Sequence, residues 1–597
     1  MRSRGSHGNG FRASAWTWIA PALTAETTQL LGLAVLVGSL SGLLSILFWR
    51  AIHLLDVEAV GRAVAWLDLT LGAPFSHPMA WRALFPALGA LVMALLVHRV
   101  FRTPERLGVA GVMFDARTDP GSTPLRYLPA TFVAGALIIG TGGSAGREAP
   151  VVAMGGVLGG WVGRRLGLSP RKRQVLMGCG TGAAIAAAFN APMAGLFFAL
   201  ELILGDYAAA TLSPVLLASV AGTVVCRALE GEGASHFQVP PYHLGSWWEI
   251  GLYAGLGVLA GLAAPVFVRT DRGISRWFSR LRLAREIRPA LGGLAVGALA
   301  LVLPQVMGNG YEHVEAALGG HMALGLLAAL AAGKIVATAL TLGSGGWGGD
   351  FAPLLFIGAM LGGAYGSLMV DLFPGHGLTS SPYAMVGMGA MVAATVRAPM
   401  TAILLLFELT ASYQVILPVM TACAVATVVA RVLLGRGLYH EQLAEMGGPA
   451  SEVPEARLLE TVKVGEVMRS GAVTLAAGAP YREILRVIAT SDQLVFPVLR
   501  DDGTLLGALT FRDLRRFLDA VELEDVVVAA DVASEEIPVL TVNDPLERAM
   551  QLFAEHDLEE LPVVQNLASR RFVGLLTRRQ VLAARARLLA EWEMEGT

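Results

Sequence analysis

From about Thr28 to Leu434 the chain is a succession of apolar runs, among them LLGLAVLVGSLSGLLSILFW and ALFPALGALVMALLV. Several reach the roughly 20 residues that cross a bilayer as a helix. Others are shorter and interrupted by Gly or Pro, a pattern tolerated at membrane depth only where surrounding protein satisfies the backbone. This predicts an all-α, multi-span membrane domain over residues 28–445 that includes broken helices, preceded by a cytoplasmic tail over 1–27. After about Pro454 the texture becomes that of a soluble protein, rich in Asp, Glu and Arg. There a linker over 446–460 leads into two similar segments, 461–520 and 525–590. Each reads as an amphipathic helix, a Pro-Val strand, a turn, a second strand (LLGALT; FVGLLT) and a closing helix.

The membrane region matches itself. GREAPVVAMGGVLGGWVG, starting at Gly146, aligns without a gap on GDFAPLLFIGAMLGGAYG, starting at Gly349. NAPMAGLFFALEL aligns on RAPMTAILLLFEL, and the Gly/Ala runs GTGAAIAAA and GMGAMVAAT align ahead of them. Pro150/Pro353, Pro192/Pro399 and Glu201/Glu408 hold register, which shared composition does not explain. Duplicated halves in a membrane protein indicate a transporter or channel with its site near the midplane, between the repeats. Identity alone does not say whether the halves are inverted.

Both repeats open alike: glycines and a serine (Ser144, Ser344), a polar stretch, then Ala-Pro leading into an apolar segment. Glycine permits close backbone approach, and proline in the first helical turn sacrifices no hydrogen bond. Such a start offers unpaired amides and the positive end of a helix dipole, which an anion can satisfy inside a membrane. The candidate anion-binding positions are Arg147, Glu148 and Ala149 in one repeat and Asp350, Phe351 and Ala352 in the other. Helix packing through small residues accounts for Gly155, Gly159 and Gly163, but not for the adjacent charges Arg147 and Glu148 at membrane depth. A carboxylate at an anion-binding helix start occupies the site when charged and leaves it when protonated, so Glu148 is the candidate gate. The other reading of these two residues is a buried structural ion pair.

Composition agrees: of 597 residues, 54% are hydrophobic and 15% charged, against about a quarter charged in soluble proteins. A net charge of −2 without a basic tract gives no sign of nucleic acid. Cys179, Cys226 and Cys423 lie in apolar segments at no metal-ligand spacing. Arginines cluster over 164–173 and 269–288 but are nearly lacking over 230–245, which predicts cytoplasmic, cytoplasmic and external loops. A membrane metalloprotease would need His-Glu-x-x-His, and the one similar string, His440-Glu441-Gln442-Leu443-Ala444, lacks the second histidine. A divalent-cation transporter would need clustered intramembrane carboxylates.

GSAGREAP resembles the GREGP motif, and GSGGWGGDFAP the GxFxP motif, of the CLC family of chloride channels and chloride/proton exchangers. VRAPMTAILLLFELTASYQVILPVM and GLYHEQL are similar to the same family, so the resemblance runs from about Thr28 to Leu443. It implies a homodimer in the lipid bilayer, one pore per subunit, inverted repeats, and transport of chloride or a similar anion, with protons as a second substrate in exchangers. A multi-pass protein of a bacterial inner membrane with cytoplasmic termini is expected. The resemblance makes Glu148 the external gate, Tyr439 the tyrosine whose hydroxyl contacts the anion, and Asp350 and Phe351 the residues whose amides face it.

Three positions depart from the family. GVAGV puts Val109 where an anion-contacting serine is common. Leu202, after Glu201, stands where exchangers often carry an inner glutamate, so channel-like transport with weak or absent proton coupling is expected. Asp350 puts an acid on a helix start, either capping the helix or competing with the anion, which leaves chloride, fluoride and nitrate open. The tail resembles a tandem pair of CBS domains, either a dimerisation module or a sensor. For a sensor, an adenine nucleotide is the candidate ligand, at Thr510 and Asp513 in the first copy and Thr577 in the second, where Gln580 replaces the aspartate. No other cofactor and no metal site is expected.

Overall fold

In a bilayer, apolar side chains gain nothing by turning inward, so small residues and reciprocal polar contacts must assemble the helices. The computed structural model describes residues 25–71, 79–103, 107–231, 246–320, 322–447, 459, 462–510, 513, 527–556 and 558–595. The expected tail over 1–27 and the linker over 446–460 fall almost wholly outside these residues, as does most of the expected external loop over 230–245. The chain divides into two units, Met1–Ala450 and Ser451–Thr597.

The first unit is helical. Among the described residues seven helices are long and apolar enough to cross a membrane, from Thr28–Leu71 to Tyr413–Glu445. Between them lie shorter apolar helices, including Tyr127–Gly140, Pro192–Leu204, Ile287–Ala300 and Pro399–Thr410. Large apolar side chains stand on the outside: Leu69 is 86% and Val432 80% exposed. Such a surface suits lipid and not water.

The two sequence repeats are two structural repeats. The helices Glu148–Arg165 and Pro170–Phe189 pack closely in the first, and Phe351–Leu372 and Ser380–Val396 in the second. Equivalent glycines set the approach. A methyl on Gly155 would lie 2.2 Å from the Gly180 carbonyl oxygen, and one on Gly358 2.3 Å from that of Gly387. The Pro170–Phe189 helix ends on Asn190 with φ 55°, and the Ser380–Val396 helix on Arg397 with φ 61°, so both chains turn at matching left-handed residues.

The repeats also exchange polar contacts in pairs. Glu408 of the second accepts hydrogen bonds from the Met193 and Ala194 amides of the first, at 2.9 and 2.8 Å. Glu201 of the first accepts from the Met400 and Thr401 amides of the second, at 3.2 and 2.8 Å, and from the Thr401 hydroxyl at 2.7 Å. Each carboxylate caps the helix start of the other copy, where amides lack intrahelical partners. This reciprocity relates the halves by a local two-fold, the inverted arrangement that identity alone left open. It also gives Glu201 a structural task.

The second unit holds two three-stranded sheets of one topology. In the first, Leu475–Ala476 runs parallel to Val495–Leu499, which pairs antiparallel with Leu505–Thr510. In the second, Leu540–Thr541, Glu560–Val564 and Phe572–Thr577 repeat the pattern. Helices Tyr481–Thr490 and Leu546–His556 bury their apolar faces on the sheets. The copies are joined where Glu560 accepts from the Leu494 and Val495 amides, at 2.9 and 3.0 Å.

Replacing Glu408 by Ala removes two charge-assisted hydrogen bonds and should cost roughly 1.5–3 kcal/mol. The expected outcome is a lower melting temperature in mild detergent, falling further in the Glu201→Ala/Glu408→Ala double variant. Unchanged midpoints in both would show that the exchanged caps contribute nothing.

Candidate functional site

The repeats meet at their helix starts. Gly146 and Gly349 form an isolated antiparallel bridge, each amide donating to the other's carbonyl, at 2.6 and 2.8 Å. A methyl on Gly146 would lie 2.2 Å from Glu148 Oε2 and 3.0 Å from the Ala352 amide nitrogen; one on Gly349 would lie 2.8 Å from Ala149 Cβ. Glycine is therefore required at both. Just upstream, the Ser144 amide donates to Thr341 Oγ1 at 3.0 Å. The bridge brings the first turns of Glu148–Arg165 and Phe351–Leu372 together with their amide ends converging.

Glu148 is buried at this junction. Its Oε2 accepts from the Ala352 amide at 3.2 Å, and its Oε1 accepts from the Tyr311 hydroxyl. The carboxylate thus lies on an amide of the opposite repeat, where a small anion would find the same donor. Arg147 turns elsewhere: its guanidinium donates to the Ala188 carbonyl at 2.6 Å and lies 5.7 Å from the Tyr311 ring centre. Among the described residues no ion pair within 4.0 Å joins Arg147 to Glu148.

Two cavities lie against this unit's site residues. One, of about 290 Å³, is lined by Val109, Ala149, Asp350 and Tyr439, with Arg272 and Arg276 at its mouth. The other, of about 460 Å³, is lined by Tyr311, Asp56, Arg82 and the 304–310 segment. The first cavity therefore gathers four of the residues singled out from the sequence. Phe351 and Ala352 line neither, and the Phe351 ring packs on Phe189 and Phe198 at 5.8 and 6.3 Å. Asp350 does not cap its helix through its side chain. Its Oδ1 instead accepts from the Tyr439 hydroxyl at 2.6 Å.

Two residues, one half-buried and one fully buried, escaped the sequence reading. Tyr311 sits in a short helix, Tyr311–Leu318, far in sequence from either repeat start. Lys334 is fully buried, donates to the Val306 and Gly308 carbonyls at 3.0 and 2.8 Å, and lies 4.9 Å from the Phe356 ring centre. It braces the segment that carries Tyr311. The signal was present: Lys334 is the lone charge in the apolar Leu324–Gly343 helix, and such charges are rarely idle. Leu202 is buried in a π-helical turn, Ala199–Leu204, beside Glu201, whose carboxylate is engaged on Thr401.

A family model described as voltage gated chloride channel matches residues 89–431, and the CBS domain model matches 464–520 and 528–587. The H(+)/Cl(−) exchange transporter ClcA of Cronobacter sakazakii is 34% identical over 73% of this chain and 93% of its own length. Chloride channel protein CLC-f of Arabidopsis thaliana is 31% identical over 82% of this chain and 69% of its own. The chain belongs to the CLC family.

Solved CLC structures agree. A slow cyanobacterial Cl−/H+ antiporter superimposes with a TM-score of 0.64 at 29% identity, covering 70% of this chain and 97% of its own. A eukaryotic CLC transporter shares the fold over 93% of this chain, with a TM-score of 0.60. This CLC protein is thus a multi-pass membrane anion transporter with a CBS pair. In the first CBS copy the Thr510 amide and hydroxyl both donate to Asp513 Oδ2, at 2.9 and 2.6 Å. In the second, Gln580 Oε1 receives the same bonds from Thr577, at 2.9 and 3.0 Å. In the second copy the pair starts the helix Arg578–Glu595, and the glutamine accepts there the bonds that the aspartate accepts in the first. The first copy thus has a carboxylate at this position and the second a side-chain amide.

Tyr311→Phe should loosen the hold on the Glu148 carboxylate. It removes one hydrogen bond to a carboxylate, worth about 1.5–3 kcal/mol, so an anion should compete for the Ala352 amide about tenfold better or more. Apparent anion affinity in flux assays should rise accordingly; an unchanged value would show that Tyr311 does not hold Glu148 on that amide.

Proposed function

We propose that this CLC protein carries chloride, or a similar small anion such as fluoride or nitrate, through a pathway in each of two paired subunits. The converging helix starts form the anion site, and Glu148 gates it. The observation that carries the reading is the Glu148 carboxylate seated on the Ala352 amide. Anion and carboxylate need the same donors and repel each other, so one excludes the other; protonation removes the carboxylate's claim. Tyr439, Val109 and the amides of Ala149 and Phe351 complete the path toward the smaller cavity. The cation-rich segments over 164–173 and 269–288 support a cytoplasmic opening for that cavity, with both termini on the same side. The larger cavity then opens outside. The CBS pair is proposed to regulate transport, with an adenine nucleotide at Thr510 and Asp513 as its ligand.

A second reading, anion/proton exchange, is favoured by the names of the relatives, several of which are H(+)/Cl(−) exchange transporters. Leu202 argues for weak coupling, since it cannot take up a proton, and Glu201 is committed as a helix cap.

In proteoliposomes, anion flux through the wild type should rise as pH falls through the carboxylate range. In Glu148→Gln that dependence should flatten markedly, because the carboxylate that competes for the Ala352 amide is gone. A variant that kept the wild-type pH profile would remove Glu148 from the gate.

A further inference from the structure

Two carboxylate–tyrosine pairs flank the junction of the repeats. Glu148 is held by Tyr311, which lines the larger cavity; Asp350 is held by Tyr439, and both line the smaller one. Ala352, whose amide holds Glu148, follows Asp350 by only two residues, about 3 Å of rise along a helix start. Asp350 thus borders the smaller cavity within one helical turn of the amide on which Glu148 rests. It is 6% exposed, yet it borders the cavity of about 290 Å³.

We propose that Asp350 is the proton-accepting residue at the inner mouth of the pathway, the counterpart of Glu148 on the opposite side. The inference rests on the anion/proton exchange reading above. A proton from cavity water forms an O–H bond on the Asp350 carboxylate as the donor's own O–H bond breaks. The proton then passes, through water in the anion path, to the Glu148 carboxylate, restoring Asp350 to its charged form. Glu148, once neutral, releases the Ala352 amide to an anion. While Asp350 is charged it repels an anion at the inner mouth and binds Tyr439 by a charge-assisted bond; when neutral, it does both more weakly.

The surroundings allow the cycle. From the Glu249–Arg280 helix, Asp271, Arg272 and Arg276 face the cavity, and from the Leu438–Glu445 helix, Tyr439 and Glu445. Arg272 is engaged by Glu441 at 2.7 Å and Glu445 at 3.6 Å. From the first repeat, Ala149 faces it, and from the 108–111 segment only Gly, Val and Ala. Asp350 thus provides the inner acid that Leu202 does not.

The test uses the full chain in proteoliposomes under a chloride gradient, with an internal pH reporter and an external chloride electrode. Wild type should move protons uphill against the chloride flux. Asp350→Asn, which keeps an oxygen acceptor for Tyr439, should lower protons moved per chloride at least tenfold, and Asp350→Glu should recover at least half. A ratio in Asp350→Asn within twofold of wild type, or wild-type chloride flux without proton movement, overturns the proposal. Neither result touches the gate, which fails separately if Glu148→Ala keeps the wild-type pH dependence of chloride flux.

Discussion

Everything at the centre of this molecule depends on two glycines exchanging their amide protons' partners. The Gly146–Gly349 bridge fixes the separation of two helix starts, and that separation decides whether a carboxylate of one repeat can reach an amide of the other. No side chain fits between them. Because the bridge is two backbone hydrogen bonds in a region without bulk water, breaking it would leave four polar groups unsatisfied, a cost no nearby apolar contact offsets. The rigid junction leaves a single side chain, Glu148, as the proposed moving part.

Around that junction the structure separates rigid polar contacts from labile ones. The exchanged caps, Glu201 on Met400 and Thr401 and Glu408 on Met193 and Ala194, tie helix starts of one repeat to carboxylates of the other, and none of these residues lines either cavity. Glu148 and Asp350 instead accept from Tyr311 and Tyr439, which line the larger and the smaller cavity. The same chemical group thus serves as a fastener away from the cavities and as the proposed switch beside them.

Much of this was legible in the sequence. The repeat, its register and the placement of Glu148 followed from aligned Pro, Gly and Glu positions, because a duplicated helix start needs the same residues twice. Glu201 as a structural residue followed from its partner Glu408. Tyr311 did not, since its approach to Glu148 is a tertiary contact between segments with no shared pattern. The partner of Asp350 was likewise hidden: sequence offered a helix cap or an anion competitor, and the side chain found Tyr439, 89 positions away. Lys334 was readable by the rule that singled out Arg147 and Glu148, applied one helix further.

The paired contacts have a consequence for how such a chain came to exist and how it is made. Each is a trade between equivalent positions, the kind that two identical single-repeat polypeptides would have made with each other. Joined in one chain, the copies were free to differ at the shared centre: Glu148 aligns with Phe351, Arg147 with Asp350, Thr131 with Lys334. The joining also imposes an order. During synthesis the Met193 and Ala194 amides must wait for a carboxylate more than 200 residues downstream, at separations of 215 and 214. The first half enters the membrane as an unfinished surface, completed only when its twin arrives.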